Sequence, residues 1–245
     1  MRVSRIRRLI NKVYGSLVQK QKQIHEKDWS YSETWKLASI PAQQNELAQR
    51  QLEQFSHGVE IAEFRTLINC LKKIESIRPV GVLEVGCSGG YNSMIVATFD
   101  NTSNYVGVDY SQTFIDLARG QYPCPFLVAD AQQLPFMDSS FDVVLSGSVL
   151  LHVLDWRRAL AESVRVANRW IILHRTPMTA SKTRLVKKTA YGVEMGEWHF
   201  NERELIDTCK LHGLKLIYRE NVYETTSTKL PKRVSESVSY LFEKT

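Results

Sequence analysis

Acidic side chains lie at or next to the ends of three apolar runs of this sequence, and a glycine-rich turn follows the first run. Glu84 stands within "VLEVGCSGGYNS" (82–93), Asp109 ends "NYVGVD", and Asp130 ends "FLVAD". A parallel sheet binds its ligand outside the carboxyl ends of its strands, so we expect these carboxylates to surround one ligand. Turns of this kind usually hold phosphates, whereas carboxylates favour a ligand that carries hydroxyl or amino groups.

The elements that position these residues are short β-branched runs alternating with amphipathic segments from residue 79 onward. Such alternation indicates a parallel sheet covered on both faces. The strand candidates are "GVLEV", "YVGVD", "FLVAD", "FDVVLS" and "WIILH", followed near the end by "LKLIYRE" and "VSYLFEK". Helices are predicted at 91–99, 112–119 and 155–167, and after Asn201.

The glycine spacing separates two classes of cofactor. A dinucleotide turn requires Gly-x-Gly-x-x-Gly, so that a pyrophosphate can approach a helix N-terminus. From Gly86 this pattern demands glycine where the chain has Ser88 and Tyr91. The pattern acid-x-Gly-x-Gly-x-Gly is met at three of four positions, by Glu84, Gly86 and Gly90. The turn therefore disfavours a dinucleotide.

Further motifs follow the turn in order, namely an acid-alanine pair (Asp130, Ala131), "LPF", "SFD" and "SVLLHVLDWRRALAE". Together they resemble the type 11 subfamily of the class I S-adenosylmethionine-dependent methyltransferases, over roughly residues 80–175. The resemblance implies an α/β, Rossmann-like, doubly wound fold with a mostly parallel seven-stranded sheet, helices on both faces and an N-terminal helical extension. It also implies S-adenosyl-L-methionine as cofactor and methyl transfer to a small-molecule acceptor, with a lipid-linked acceptor as one option.

The resemblance also assigns cofactor contacts. Asp109 would accept the ribose hydroxyls, Asp130 would accept the adenine amino group, and Tyr110 and Ala131 would lie near the adenine faces. Glu84 would shape the turn without necessarily touching the ligand. The full predicted set is Glu84, Gly86, Cys87, Ser88, Gly90, Asp109, Tyr110, Asp130, Ala131 and Ser146.

The acceptor side is less constrained, because methyl transfer from a sulfonium is an in-line displacement that depends on alignment and exclusion of water. A general base is needed only for an acceptor with a proton of high pKa. The candidate bases are His199, His174 and His152, and the candidate substrate contacts are Tyr191, Trp198, Arg175, Tyr31 and Trp35. For each of these, a core or solvated position is the competing interpretation. No metal site is expected, since the four cysteines show no metal-ligand spacing.

The net charge of +6 belongs to one end of the chain. Residues 1–27 hold eight Lys or Arg and a single acid, Glu26, whereas the rest is close to neutral. Residues 1–30 are predicted to form a basic amphipathic helix, which could contact an anionic membrane surface, a partner or its own domain, or serve as a presequence. A nucleic-acid-binding body is disfavoured, because the basic residues are not spread over the domain.

The predicted organisation continues with a helical cap at 31–78, interrupted at Ile40-Pro41 and His57-Gly58. The cofactor-binding core follows at 79–178, a variable substrate-side insert at 179–200, and a C-terminal helix with closing strands at 201–245.

Scattered cysteines favour a reducing compartment, and the expected location is cytoplasmic, with peripheral membrane contact as a variant. Three other functions stay open at this point. They are an NAD(P)-dependent oxidoreductase, a degenerate binding or scaffold protein, and an RNA methyltransferase.

Overall fold

The computed structural model describes Trp35, Leu37 and residues 39–74, 80–223 and 236–245. The predicted basic helix of residues 1–30 and the predicted substrate residue Tyr31 lie outside the described residues. Within the described part, none of the helices combines the length and the apolar character that crossing a bilayer requires.

The helices of the described residues are α1 (Ser39–Ser56), α2 (Ala62–Lys72), α3 (Asn92–Phe99), α4 (Gln112–Gln121), α5 (Trp156–Val166) and α6 (Glu202–Leu211). The strands are β1 (Gly81–Val85), β2 (Asn104–Asp109), β3 (Phe126–Val128), β4 (Phe141–Gly147), β5 (Ala167–Pro177), β6 (Arg184–Ala190), β7 (Val193–His199), β8 (Leu214–Asn221) and β9 (Ser237–Lys244). A short 3₁₀ helix spans Leu150–His152.

Seven strands form one sheet in the order β3-β2-β1-β4-β5-β9-β8. The pairs from β3 to β5 are parallel, and β9 runs antiparallel to both of its neighbours. This confirms the predicted Rossmann-like, mostly parallel seven-stranded sheet. The strand order reverses between β1 and β4, so a crevice opens there at the carboxyl ends of the strands.

The sheet is covered on both faces, as its nearly continuous apolar strands predict. Val82 and Leu145 belong to a buried cluster with side chains of α2, α3 and α4. Leu83 and Val144 belong to a second cluster with side chains of α5 and α6. Neighbouring residues of one strand thus pack on opposite faces, which fixes the position of the strand ends.

Two local predictions were wrong or incomplete. Ile40-Pro41 does not interrupt a helix, because α1 begins at Ser39 and proline is tolerated in the first turn, where its missing N–H has no helical partner. The insert at 179–200 contains a regular hairpin, β6–β7, with a two-residue turn at Tyr191-Gly192. Both turn residues have positive φ (54° and 76°), as a type I′ turn requires.

Phe126 of β3 packs beneath the glycine turn, which generates a stability prediction. Gly90 has φ +82°, and a Cβ there would lie 2.7 Å from the Phe126 ring. We expect Gly90→Ala to lower the free energy of unfolding by at least ~1 kcal/mol, because it combines backbone strain with overpacking. The measurement is urea unfolding.

Gly120→Ala is the matched control for this substitution. Gly120 lies in α4, and a Cβ there would meet nothing within 4 Å. Alanine should leave stability unchanged or raise it by up to ~1 kcal/mol, through helix propensity. Equal effects of the two variants would contradict the packing described for the turn.

Candidate active site

A cleft of about 1420 Å³ opens at the carboxyl ends of β1, β2, β3, β4 and β5. The turn after β1 and the loops after β2 and β3 form one end of it. Gln44 of α1, Trp35, residues of the 3₁₀ helix and residues of the β6–β7 hairpin also line the cleft. The cleft therefore joins the predicted cofactor residues to a separate wall.

Glu84 lines the cleft at β1, and both of its carboxylate oxygens accept hydrogen bonds from the protein. The residue is 1% exposed, its Oε1 accepts a hydrogen bond from Asn92 Nδ2 (2.7 Å), and its Oε2 accepts one from the Tyr105 hydroxyl. β4 approaches so closely that a Cβ on Gly147 would lie 3.0 Å from Glu84 Oε1. Burial raises the pKa of Glu84 to about 7, although the bonds from Tyr105 and Asn92 oppose this. Glu84 thus supports the turn from below.

Asp109 holds the same turn from the end of β2. Its Oδ2 accepts a hydrogen bond from the Ser88 amide and its Oδ1 one from the Ser111 amide, both at 3.0 Å. Burial raises the pKa of Asp109, and the amide hydrogen bonds act in the opposite direction. Each carboxylate oxygen can accept further bonds, and Asp109 lines the cleft. It can therefore accept hydroxyl groups of a ligand while it fixes the turn.

The backbone amides of the turn are used within the protein. Gly86 N and Cys87 N donate to Val108 O (2.8 and 2.9 Å), and Gly90 N donates to Cys87 O (2.9 Å). Phosphate-binding turns instead direct their amides at the ligand. The turn is therefore built for a close backbone approach to a ligand rather than for donating hydrogen bonds to a phosphate.

Ser88 occupies the position where the motif has glycine. Its φ is +53°, in the left-handed region that glycine favours. Its hydroxyl donates a hydrogen bond to Gln44 Oε1 of α1 at 2.6 Å, which joins the turn to the N-terminal helix. The departure from glycine thus provides a contact that glycine could not make.

The residues predicted to hold adenine lie together. Cys87, Tyr110, Asp130 and Ala131 all line the cleft. Asp130 Oδ1 accepts a hydrogen bond from Gln132 N (2.8 Å), and Oδ2 has only a long contact of 3.4 Å from the Gln132 side chain. An exocyclic amino group could therefore donate to Oδ2.

Two predicted cofactor residues do not line the cleft. Ser146 is 3% exposed and pairs within the sheet with Val85 and Leu173, so its prediction as a cofactor contact was wrong. Gly90 packs against Phe126, and its positive φ is the conformation that the turn requires at this position. The strand end therefore lies one residue further along than the sequence suggested, at Gly147 and Ser148.

Three aromatic side chains form the second wall. The His152 ring lies 4.6 Å from the Trp35 ring, and the Tyr191 ring lies edge-on to Trp35 at 5.9 Å. His152 Nδ1 lies 3.2 Å from Gly196 O. Since a carbonyl can only accept, Nδ1 carries the proton and Nε2 keeps a free lone pair. Burial lowers the pKa of His152 to about 4, so the imidazole is neutral at pH 7.

The other predicted bases and one predicted substrate contact lie outside the cleft. His174 is 3% exposed, its Nδ1 lies 2.8 Å from Ser239 Oγ, and burial holds its pKa well below the usual range. His199 Nε2 lies 3.0 Å from Glu197 Oε1, and His199 does not line the cleft. Trp198 packs in the core and donates its N–H to Val153 O (3.1 Å). None of these three residues lines the cleft. Trp198 alternates with Glu197 and faces the core, whereas His199 is bonded to Glu197.

The hairpin contributes residues that the sequence reasoning missed. Lys188, Met195 and Glu197 line the cleft. Lys188 Nζ lies 2.7 Å from Glu197 Oε2. Burial opposes ionisation of Glu197, yet the hydrogen bonds from His199 and Lys188 lower its pKa to about 2. The glycine of the two-residue turn "YG" was the local signal that could have indicated this hairpin.

The family model described as "Methyltransferase domain", of type 11, matches residues 83–169. The sequence of residues 83–169 thus resembles a methyltransferase domain. The matched residues run from β1 into β5 and contain the glycine turn, Asp109, Asp130 and His152. The hairpin and α1, which complete the cleft, lie outside the match.

Known proteins resemble the domain more than the rest of the chain. The O-methyltransferase rstn1 of Aspergillus nomiae is 33% identical over 115 residues, which cover 44% of this chain and 51% of that protein. The phthiotriol/phenolphthiotriol dimycocerosates methyltransferase of Mycobacterium tuberculosis is 39% identical over 88 residues, covering 35% and 33%. The chain thus spans about half the length of the first relative and a third of the second.

A solved structure extends the likeness of the fold. Magnesium protoporphyrin IX methyltransferase (ChlM) from Synechocystis, with bound SAH, superposes with a TM-score of 0.55 at 17% identity. The superposition covers 74% of this chain and 82% of that chain. The fold therefore extends beyond the residues that the family model matches.

The buried acid of the methyltransferase domain generates a pH prediction. The pKa of Glu84 is about 7 in the folded chain and 4.5 is its ordinary value, so the folded chain binds more protons between these pH values. Stability should therefore fall as pH rises through this window, by on the order of 3 kcal/mol at ~1.4 kcal/mol per pKa unit. Glu84→Gln cannot titrate and should flatten this slope. Urea unfolding from pH 4.5 to 8 tests it, and equal slopes for both proteins would contradict it.

The histidine of the second wall generates a spectroscopic prediction. We expect the His152 imidazole to titrate near pH 4, because burial disfavours its charged form. The measurement is an NMR titration of the histidine ring protons, with His152→Gln identifying the signal. An assigned His152 signal that titrates at pH 6 or above would show that the ring is solvated and not packed against Trp35.

Proposed function

We propose that this chain is an S-adenosyl-L-methionine-dependent methyltransferase that acts on a small molecule. The observation that carries the proposal is a single cleft lined both by the carboxylates of Asp109 and Asp130 and by an aromatic wall with a neutral imidazole. The family match and the names of the relatives support the same activity.

The residues of one end of the cleft fit the cofactor. Asp109 would accept the ribose hydroxyls and Asp130 Oδ2 the adenine amino group, with Tyr110 and Ala131 beside the ring. S-adenosyl-L-methionine has no phosphate, which suits a turn whose amides are already bonded internally. When bound, it supplies a methyl group activated by the positive charge of its sulfonium.

The residues of the other end would align the acceptor and exclude water. Trp35 and Tyr191 provide planar apolar surface, which restricts the orientation of a flat acceptor. His152 Nε2 would accept the proton of an acceptor hydroxyl as that oxygen bonds to the methyl group. The relative named an O-methyltransferase supports an oxygen acceptor.

We further propose that the helical segment 31–78 caps the cleft and that the insert 179–200 contacts the acceptor. Gln44 and Trp35 of the first segment line the cleft, as do Tyr191 and Met195 of the second. A lipid-linked acceptor is consistent with the dimycocerosates relative. It would also give the basic segment 1–27 a reason to contact an anionic membrane surface.

The test is calorimetric titration with S-adenosylhomocysteine and with NADH. We expect the first to bind and the second not to bind, because the turn amides that a pyrophosphate requires are bonded to Val108 O and Asp109. Asp109→Asn should weaken S-adenosylhomocysteine binding about tenfold, as expected for losing a charged acceptor.

Asp142→Asn is the matched control. Asp142 accepts a hydrogen bond from Gly81 N at the amino-terminal ends of β4 and β1, whereas the cleft lies at the carboxyl ends of the strands. The affinity for S-adenosylhomocysteine should therefore not change. Preference for NADH, or an Asp109→Asn variant with wild-type affinity, would refute the proposed cofactor site.

A further inference from the structure

Backbone strain is concentrated around the cleft. Five non-glycine residues of the described part have positive φ, and Ser88, Ser148, Arg175 and Tyr191 among them line the cleft. Conformations of this kind cost ~1–3 kcal/mol and persist where surrounding structure enforces them, often at functional sites. Three of the four are explained by the turn, the strand end and the hairpin. Arg175 calls for its own explanation.

A bulge directs Arg175 into the cleft. β5 pairs with β9 so that His174 and Arg175 together face the single residue Ser239, between the pairs at Leu173 and Thr176. His174 turns toward Ser239, and Arg175, at φ +56°, lines the cleft. A β-bulge redirects a side chain in this way and interrupts the regular pairing of the two strands.

The guanidinium of Arg175 lacks an acidic partner among the described residues. Its Nε donates a hydrogen bond to Ser148 Oγ at 2.9 Å, which orients the planar group. Arg165, by comparison, donates to two carboxylates and two carbonyl oxygens. The carboxylates that interact electrostatically with Arg175 include those of Glu63 and Glu84. Glu63 is already bonded to Tyr223, and Glu84 is already bonded to Asn92 and Tyr105.

Arg175 is partly buried. A cation that is partly removed from water without a counter-ion is costly, and a ligand that supplies a counter-ion recovers part of that free energy. The two terminal nitrogens of a guanidinium match the two oxygens of a carboxylate in a parallel, bidentate pair. The positive φ, the bulge and the hydrogen bond to Ser148 together orient the Arg175 guanidinium in the cleft. No carboxylate of the described residues forms an ion pair with this guanidinium.

We propose that Arg175 binds a carboxylate, or an equivalent oxyanion, of a ligand in the cleft. The proposal rests on the proposed function and adds a ligand chemistry to it. The oxyanion has two possible sources, the amino-acid end of the cofactor or an acidic group of the acceptor. Both carry the same chemistry, and their neutral analogues distinguish them.

The experiment compares Arg175→Gln and Arg175→Lys with Arg203→Gln, which removes a charge from an arginine whose side chain is 91% exposed on α6. The first probes are S-adenosylhomocysteine and 5′-methylthioadenosine, which lacks the amino-acid end. The second probes, added to protein saturated with S-adenosylhomocysteine, are 4-hydroxybenzoate and 4-hydroxybenzyl alcohol. Calorimetry gives each affinity, and thermal unfolding confirms that the variants fold.

Arg175→Gln should weaken the carboxylate member of one pair at least tenfold and leave its neutral analogue unchanged. Arg175→Lys should recover only part of the lost affinity, because lysine keeps the positive charge but cannot form the bidentate pair. Loss with S-adenosylhomocysteine identifies the cofactor as the source, and loss with 4-hydroxybenzoate identifies the acceptor.

Unchanged affinity for both carboxylates, or an equal loss with both members of each pair, would overturn the role of Arg175. Wild-type protein that binds neither nucleoside would instead refute the proposed function, so the two failures are distinguishable.

Discussion

Two carboxylates buried beneath the first turn are the constraint on which the rest of the site depends. An ionised carboxylate is costly to remove from water unless hydrogen bonds replace its solvation. Hydrogen bonds from Asn92 and Tyr105 to Glu84, and from the amides of Ser88 and Ser111 to Asp109, replace part of this solvation. Burial still raises the pKa of both carboxyl groups. The bond from the Ser88 amide to Asp109 also ties the backbone of the turn to the end of β2.

Two of the three aromatic residues of the second wall, Trp35 and Tyr191, lie outside the residues that the family model matches, and His152 lies within them. Gln44 joins α1 to the turn through Ser88, and Trp35 packs on His152 and Tyr191. The buried carboxylates thus lie in the matched residues, whereas α1 and the hairpin lie outside them. Under the proposed function, substrate choice can change without disturbing the buried carboxylates, as expected when function is carried by a site grafted on a common fold.

Sequence reasoning located the core strands to within a few residues, because buried parallel strands carry continuous β-branched runs and end at punctuating turns. Asp109, Asp130 and Arg175, which it proposed as ligand contacts, line the cleft. It failed for His174 and Trp198, since the face to which a strand residue points depends on register and on the β5 bulge, which no local pattern specifies. The hairpin was missed because Lys187, Lys188 and Thr189 are all exposed, so β6 shows no alternation.

A crystal structure of the protein with bound S-adenosylhomocysteine tests the central claim most directly. The account predicts ribose hydroxyls on Asp109, adenine beside Asp130 and Ala131, and the sulfur facing the wall formed by Trp35 and His152. A nucleoside bound elsewhere, or one that displaces the Asp109 carboxylate from the Ser88 amide, would contradict it.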